Sequence, residues 1–187
     1  MTWSPLRPNT FNETPKTRWR AIPYTAGKGL DLGCGQERLF DTEFVLGIDN
    51  GYGAERWGMK VMANIRGDAR QLPFSAGVWD YVYSSFLLQT FPYKEVPDVL
   101  RHWMNVVKVG GCLILYIPDE DQVPKVIEPE RDIAPEPGAD PDQKWNVNYA
   151  RVVQAMEKLA FNWDLCCFEK CTREEEYALF FVFRRLK

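Results

Sequence analysis

Short apolar runs that end in polar or glycine residues set the rhythm of the first two thirds of the chain. KGLDL at 28–32, FVLGI at 44–48, VMANI at 61–65, WDYVY at 79–83 and CLILYI at 112–117 have this form. Runs of four to eight residues bounded by turn residues predict strands, and the third is the weakest of the five. Cys112 to Ile117 is apolar without interruption, as a strand covered on both faces must be. The interval 94–108 differs. Val96, Val99, Leu100, Trp103, Val106 and Val107 recur three and four positions apart, which predicts an amphipathic helix ended by Gly110 and Gly111. Strand, helix and strand in that order predict a right-handed parallel crossover.

After Ile117 the rhythm breaks. Pro118, Pro124, Pro129, Pro135, Pro137 and Pro141 stand among many carboxylates. The stretch 118–145 therefore predicts a long loop without a packed core of its own. It reads either as a lid on the acceptor side of a site or as a surface insertion. A helix is expected from Asn148 to Leu159. Two strands, Trp163 to Phe168 and Tyr177 to Arg184, flank the charged turn EKCTREEE and read as an antiparallel hairpin. The fold class is α/β: a Rossmann-like, mostly parallel sheet flanked by helices, with an antiparallel C-terminal β-hairpin. Residues 1–26 read as an arm with one short helix, and 27–187 as a single domain.

Composition narrows the partners. A net charge of −3 over 187 residues gives no electrostatic case for nucleic acid. The basic residues of the arm, Arg7, Lys16, Arg18, Arg20 and Lys28, are too diffuse for a phosphate-binding stripe. No apolar stretch approaches the roughly 20 residues that span a bilayer. The five cysteines, Cys34, Cys112, Cys166, Cys167 and Cys171, form no CxxC pair. No metal site is expected from them, and a reduced cytoplasmic compartment is the simplest reading.

Candidate chemistry gathers where the strands end. Ligands of parallel α/β sheets bind beyond the carboxyl ends of the strands. Gly33 and Gly35 follow the first predicted strand, where glycine permits positive φ and close approach of a ligand. A tight turn without a ligand would use them equally well. Asp49 closes the second strand, where a carboxylate can accept from the vicinal hydroxyls of a ribose. Asp68 follows the third and can accept from an exocyclic adenine amine. Asp31, Asp49 and Asp68 thus stand in register beside a glycine turn.

DLGCG at 31–35, GIDN at 47–50, GDARQLPF at 67–74, WDYVYSSFLLQTF at 79–91 and VVKVGGCLILYIPDE at 106–120 together resemble the class I S-adenosylmethionine-dependent methyltransferases, in the small-molecule group called methyltransferase type 11. The resemblance covers about Gly27 to Glu120. A dinucleotide fold fits less well, because GCGQER has Arg38 at the third glycine of GxGxxG. The resemblance implies S-adenosyl-L-methionine as cofactor. A small-molecule or sugar acceptor methylated at oxygen is expected, since the sequence has no basic nucleic-acid face, no NPPY-type amide motif and a trimmed helix layout. The resemblance implies that Gly33, Cys34 and Gly35 line the methionine portion through backbone atoms. Asp31 would bind near the amino group and Asp49 would hold the ribose. Asn50 or Gly51 would border the adenine, and Asp68 and Ala69 would read its edge. Ser84 and Ser85 would face the sulfonium, while Leu72 packs on the ring or in the core.

The chain departs from the family where Glu37 replaces the third glycine of the first motif, where the helices after the first two strands are cut short, and where Thr90 stands in place of a histidine found in relatives. These departures also fit a second reading, a non-catalytic binding or scaffold module of the same fold. No general base is evident. Asp119 and Glu120, with Asp121, follow the fifth strand and are candidates for a base or a metal ligand, or are solvated loop residues. His102, the only histidine, lies off the apolar stripe of its helix and reads as a surface residue. Trp3, Trp19 and Tyr24 of the arm either close over the site or pack in the core, and Arg18 or Arg20 is placed to pair with the cofactor carboxylate.

Overall fold

The computed structural model describes residues 13–56, 58, 60–128, 131, 133–173 and 175–187. Arg7, Trp3 and Pro129, named above, lie outside them. Seven strands form one sheet in the order β3-β2-β1-β4-β5-β7-β6. They are β1 (Gly29–Leu32), β2 (Val45–Asp49), β3 (Ile65–Arg66), β4 (Trp79–Ser85), β5 (Val107–Pro118), β6 (Trp163–Cys171) and β7 (Ala178–Arg185). The first five pair in parallel, and β7 runs antiparallel between β5 and β6. The helices are α1 (Thr14–Ala21), α2 (Tyr52–Arg56), α3 (Val96–Val106) and α4 (Tyr149–Glu157).

Alternation along the strands divides the core into two. Leu30, Leu32, Val82, Leu113 and Leu115 face one side, with Trp103 of α3 and Met156 of α4. Tyr81, Tyr83, Ile114, Tyr116 and Phe180 face the other, with Ala21 of α1. On the second face α1 supplies a polar partner to one of its tyrosines. Thr17 Oγ1 lies 2.7 Å from Tyr83 Oη. Arg20, fully buried, bonds Glu176 at 2.6 Å and Glu169 at 2.8 Å. The short arm helix is thereby bound to the C-terminal hairpin.

Several expected boundaries are corrected. The third strand does not run over 61–65 but is the pair Ile65–Arg66. Before it, Met62 N–H donates to Gly35 O and Asn64 Oδ1 accepts from Gly47 N–H, so 61–64 crosses the glycine turn instead of joining the ladder. Gly110 and Gly111 do not end the helix, which stops at Val106; they lie inside β5. There the register with β4 shifts, and a β-carbon on Gly111 would come within 2.5 Å of Asp80 O. A side chain is excluded by this close approach of two strands. β6 also continues to Cys171, with a register shift between Leu165 and Cys167.

The proline-rich stretch is better anchored than its composition suggests. Val126, Trp145 and Val147 are buried. Glu128, also buried, accepts from Asn146 N and Nδ2 at 3.1 and 2.8 Å and bonds Arg151 of α4. Lys144 N–H donates to Gln89 O, in the turn after β4. The stretch has no packed core of its own; Trp145 and Val147 join the core of α3 and α4, and the buried Glu128 pairs with Arg151 of α4.

Breaking the α1 anchor leaves two carboxylates facing each other without their cation. Arg20→Ala is expected to lower unfolding stability by about 3 to 5 kcal/mol, measured by urea denaturation; a loss under about 1 kcal/mol would show that the anchor contributes little.

Candidate functional site

The carboxyl ends of β1, β2 and β4 meet around the turn that follows β1. Gly33 and Gly35 have φ of 71° and 53°, a region that side chains other than glycine enter only with strain. At Gly33 a β-carbon would also meet Leu87 at 2.9 Å, whereas the space over Gly35 is open. Asp49 fastens this turn. Its Oδ2 accepts from Gly35 N–H at 2.9 Å and its Oδ1 from Gly51 N–H at 2.6 Å. Each oxygen keeps a lone pair for a further donor. Cys34 is buried with its sulfur packed toward Gly47, as a space-filler should be.

Asp31 is fully buried. Its Oδ2 accepts from Leu39 N–H at 2.5 Å, and its Oδ1 has no partner among the described residues. Burial pushes its pKa up to about 7, against the pull of the Leu39 amide and Arg38. Glu37, the departure from the third glycine, pairs with Arg18 of α1, which also donates to Leu39 O at 2.7 Å and Arg38 O at 3.0 Å. The arm thus clamps the loop that a glycine would leave loose.

The remaining predicted residues divide. Asn50 is exposed and accepts from Tyr52 N–H at the start of α2. Asp68 is paired with the Arg70 guanidinium, 2.7 Å away, which holds its carboxyl below the usual range. Ala69 is buried and its carbonyl accepts from Trp103 Nε1. Leu72 belongs to the core. Ser84 and Ser85 point to opposite faces of β4: Ser84 Oγ donates to Leu32 O at 3.2 Å, while buried Ser85 Oγ has no partner among the described residues. Asp119 is buried against Lys170 at 2.8 Å and caps the turn at Asp121 and Gln122. Glu120 bonds Arg131 and Asn148. No group of three or more His, Cys, Asp and Glu among the described residues is arranged to hold a metal.

Three expectations are corrected. His102 is half-buried, and its Nε2 accepts from Leu72 N–H at 2.7 Å, so it is a structural link between α3 and the 67–74 loop. Arg18 and Arg20 are committed to Glu37 and to the hairpin rather than free for a ligand. Trp19 lies over Arg20 and Arg173 on the outside, and Tyr24 lines a cleft with Lys108, Gly111 and Arg184 at the starting edge of the strands. Neither closes the glycine turn. The reading from sequence missed Glu13, Tyr116, Tyr177 and Phe86. Phe86, directly after β4, has φ of 49°, a strained value for an aromatic residue.

The open cradle at Gly35, the spare lone pairs of Asp49 and the unsatisfied Asp31 oxygen fit a ligand that carries ribose hydroxyls and an amino group. Residues 30–115 match the family of methyltransferase domains called Methyltransf_11. The segment is a class I S-adenosylmethionine-dependent methyltransferase domain. S-adenosylmethionine is the cofactor, and the chain is an enzyme. No curated protein matches the sequence. Among solved structures, an S-adenosylmethionine-dependent methyltransferase from Mesorhizobium loti is 15% identical over 95% of this chain and 100% of its own, with a TM-score of 0.66. The PH0226 protein from Pyrococcus horikoshii OT3 is 21% identical over 95% and 93%, with a TM-score of 0.62. Magnesium protoporphyrin IX methyltransferase from Synechocystis PCC 6803, solved with bound S-adenosylmethionine, is 14% identical over 91% and 77%, at 0.58. At these identities the methyltransferase likeness is one of fold.

The raised pKa of Asp31 has a sign. The folded state holds its proton to about pH 7, while an unfolded aspartate releases it near 3.8. Asp31 therefore favours folding most below pH 4 and progressively less as pH rises to 7, by up to roughly 4 kcal/mol. Asp31→Asn is expected to remove this slope, so that the difference in urea stability between variant and parent changes in the variant's favour from pH 4.5 to 7. A constant difference across that interval would place Asp31 in a more solvated site.

Proposed function

We propose that this methyltransferase domain transfers a methyl group from S-adenosylmethionine to an oxygen of a small-molecule or sugar acceptor. The observation that carries the cofactor geometry is the Asp49 carboxylate bridging the Gly35 and Gly51 amides. Two amides hold the carboxylate in place, and its free lone pairs face the hydroxyls of the ribose. Gly33, Cys34 and Gly35 line the methionine portion through backbone atoms, and Asp31 receives its amino group. Asp68, with Ala69, reads the adenine edge while keeping its pairing with Arg70, and Asn50 borders the ring. Ser85, whose hydroxyl is not committed to a strand carbonyl as that of Ser84 is, faces the reacting sulfur.

A methyl sulfonium supplies an electrophilic carbon when bound. The protein's task is then to hold a nucleophile in line and exclude water, and positioning supplies much of the rate. The absence of nucleic-acid character in the charge supports a small acceptor, as does a structural neighbour named for a porphyrin. Lack of an NPPY-type amide motif supports oxygen as the acceptor atom. The non-catalytic reading loses its main motive, since Glu37 has a structural partner in Arg18.

Calorimetry with S-adenosylmethionine and S-adenosylhomocysteine tests this. Both are expected to bind below millimolar, more tightly than about −4 kcal/mol. Asp49→Ala removes charge-assisted bonds worth roughly 1.5 to 3 kcal/mol each. It is expected to weaken S-adenosylhomocysteine by about two orders of magnitude, with thermal melting confirming a folded variant. Unchanged affinity would place the ribose elsewhere.

A further inference from the structure

The α1 face of the sheet ends in polar atoms that nothing among the described residues satisfies. Glu13 Oε2, Ser85 Oγ and Tyr116 Oη are buried and have no hydrogen-bond partner among the described residues. Their residues are 4%, 8% and 0% exposed. An unpaired buried polar atom is costly, and three at one sheet edge call for a common cause. They are neighbours. Ser85 pairs in register with Tyr116 on the adjoining strand, so both side chains stand side by side on one face. Phe86 follows, its ring 5.5 Å from Tyr116 and 5.6 Å from Tyr177. Tyr177 Oη donates to Glu13 Oε1 at 3.0 Å. The strained backbone of Phe86 aims its ring into this group.

We propose that Glu13, Tyr116 and Tyr177 form the polar end of the acceptor subsite, that the acceptor is a hydroxyl-bearing molecule with a flat ring, and that Glu13 takes the hydroxyl proton. The inference rests on the methyltransferase reading. Phe86, Tyr116 and Tyr177 supply aromatic walls that match a ring edge-on. Glu13 Oε2 and Tyr116 Oη supply the polar contacts. A neutral hydroxyl fits better than an ammonium group, because Lys16 already sits 2.9 Å from Glu13 Oε1 and 5.3 Å from the centre of the Tyr177 ring. A second cation would meet that charge. Transfer to a hydroxyl forms one C–O bond and breaks one C–S bond, whose electron pair stays on sulfur. The freed proton passes to the Glu13 carboxylate and from there to solvent. Burial, assisted by Glu176, raises the Glu13 carboxyl above the ordinary range although Lys16 and Tyr177 pull it down, which makes it a stronger proton acceptor than an exposed glutamate.

The test uses phenol as probe on the full chain, labelled with ¹³C at glutamate carboxyls and saturated with S-adenosylhomocysteine. Phenol is expected to move the Glu13 carboxyl resonance and the Tyr177 ring resonances along one saturable curve, and benzylamine to bind more weakly. Glu13→Gln should weaken phenol about ten-fold or more and leave S-adenosylhomocysteine within about three-fold. Tyr177→Phe, which removes a single hydroxyl and spares the packing, should weaken phenol in the same direction. The proposal is overturned if phenol leaves the Glu13 and Tyr177 resonances unmoved, if benzylamine binds better, or if both variants keep full phenol affinity. It is also overturned if either variant loses S-adenosylhomocysteine while still folded, since these residues would then serve the cofactor. Failure of the parent to bind S-adenosylhomocysteine would count against the methyltransferase reading instead, and the phenol titration of the unloaded protein would still decide the subsite.

Discussion

Two backbone amides from different turns share the carboxylate of Asp49, and the ligand edge of the sheet is arranged around that sharing. One amide belongs to Gly35, after β1, and the other to Gly51, after β2. Both glycines have positive φ, so neither turn would hold its shape with an ordinary side chain. The parallel register of β1 and β2 sets Leu32 beside Ile48, which brings the two turns to the same height. Gly33 N–H then closes onto Ile48 O, and Met62 N–H onto Gly35 O. A carboxylate at the end of β2 therefore does mechanical work before any ligand arrives. It fixes the turn in the form that a ribose would meet.

The second constraint comes from the arm. A domain with no proper helix after its first strand has little to hold its glycine turn from outside. Here α1 substitutes. Arg18 holds Glu37 and two carbonyls of the loop, while Arg20 holds the hairpin through Glu169 and Glu176. One short helix thus joins the first motif to the last strands, across the whole length of the sequence. Burying a guanidinium is worthwhile only when carboxylates surround it, and the charged turn of the hairpin supplies them.

Much of this was legible. Continuous apolar character marked β5, and spacing of three and four marked α3, because both signals come from burial of a whole face. Asp49 and Asp68 were legible as acidic residues at and just past strand ends, whereas Asp31 stands within its strand. Gly110 and Gly111 misled, since a glycine pair signals a helix stop and a strand crossing alike; only the backbone of Asp80, 2.5 Å from where a β-carbon would stand, separates the two. His102 misled because its partner is an amide of Leu72, thirty positions away. The polar group around Glu13 was hidden for the same reason. Glu13 and Tyr177 are brought together by the fold and by nothing local. Glu37 reads as a departure in the sequence because its partner, Arg18, belongs to another element.

The register shift in β6 bears on how copies of this chain meet one another. β6 is nine residues long and forms an outer border of the sheet. A straight border strand of that length, with Phe168 and Cys166 partly or fully in solvent, would be a template for a neighbouring chain. The extra residue between Leu165 and Cys167 bends the strand and breaks the even spacing of amides that such a template needs. Asp164 and Lys170, both exposed, put charge on either side of the break. An irregularity that contributes nothing to the methyl-transfer edge thus guards the opposite end of the sheet against fibre-like stacking.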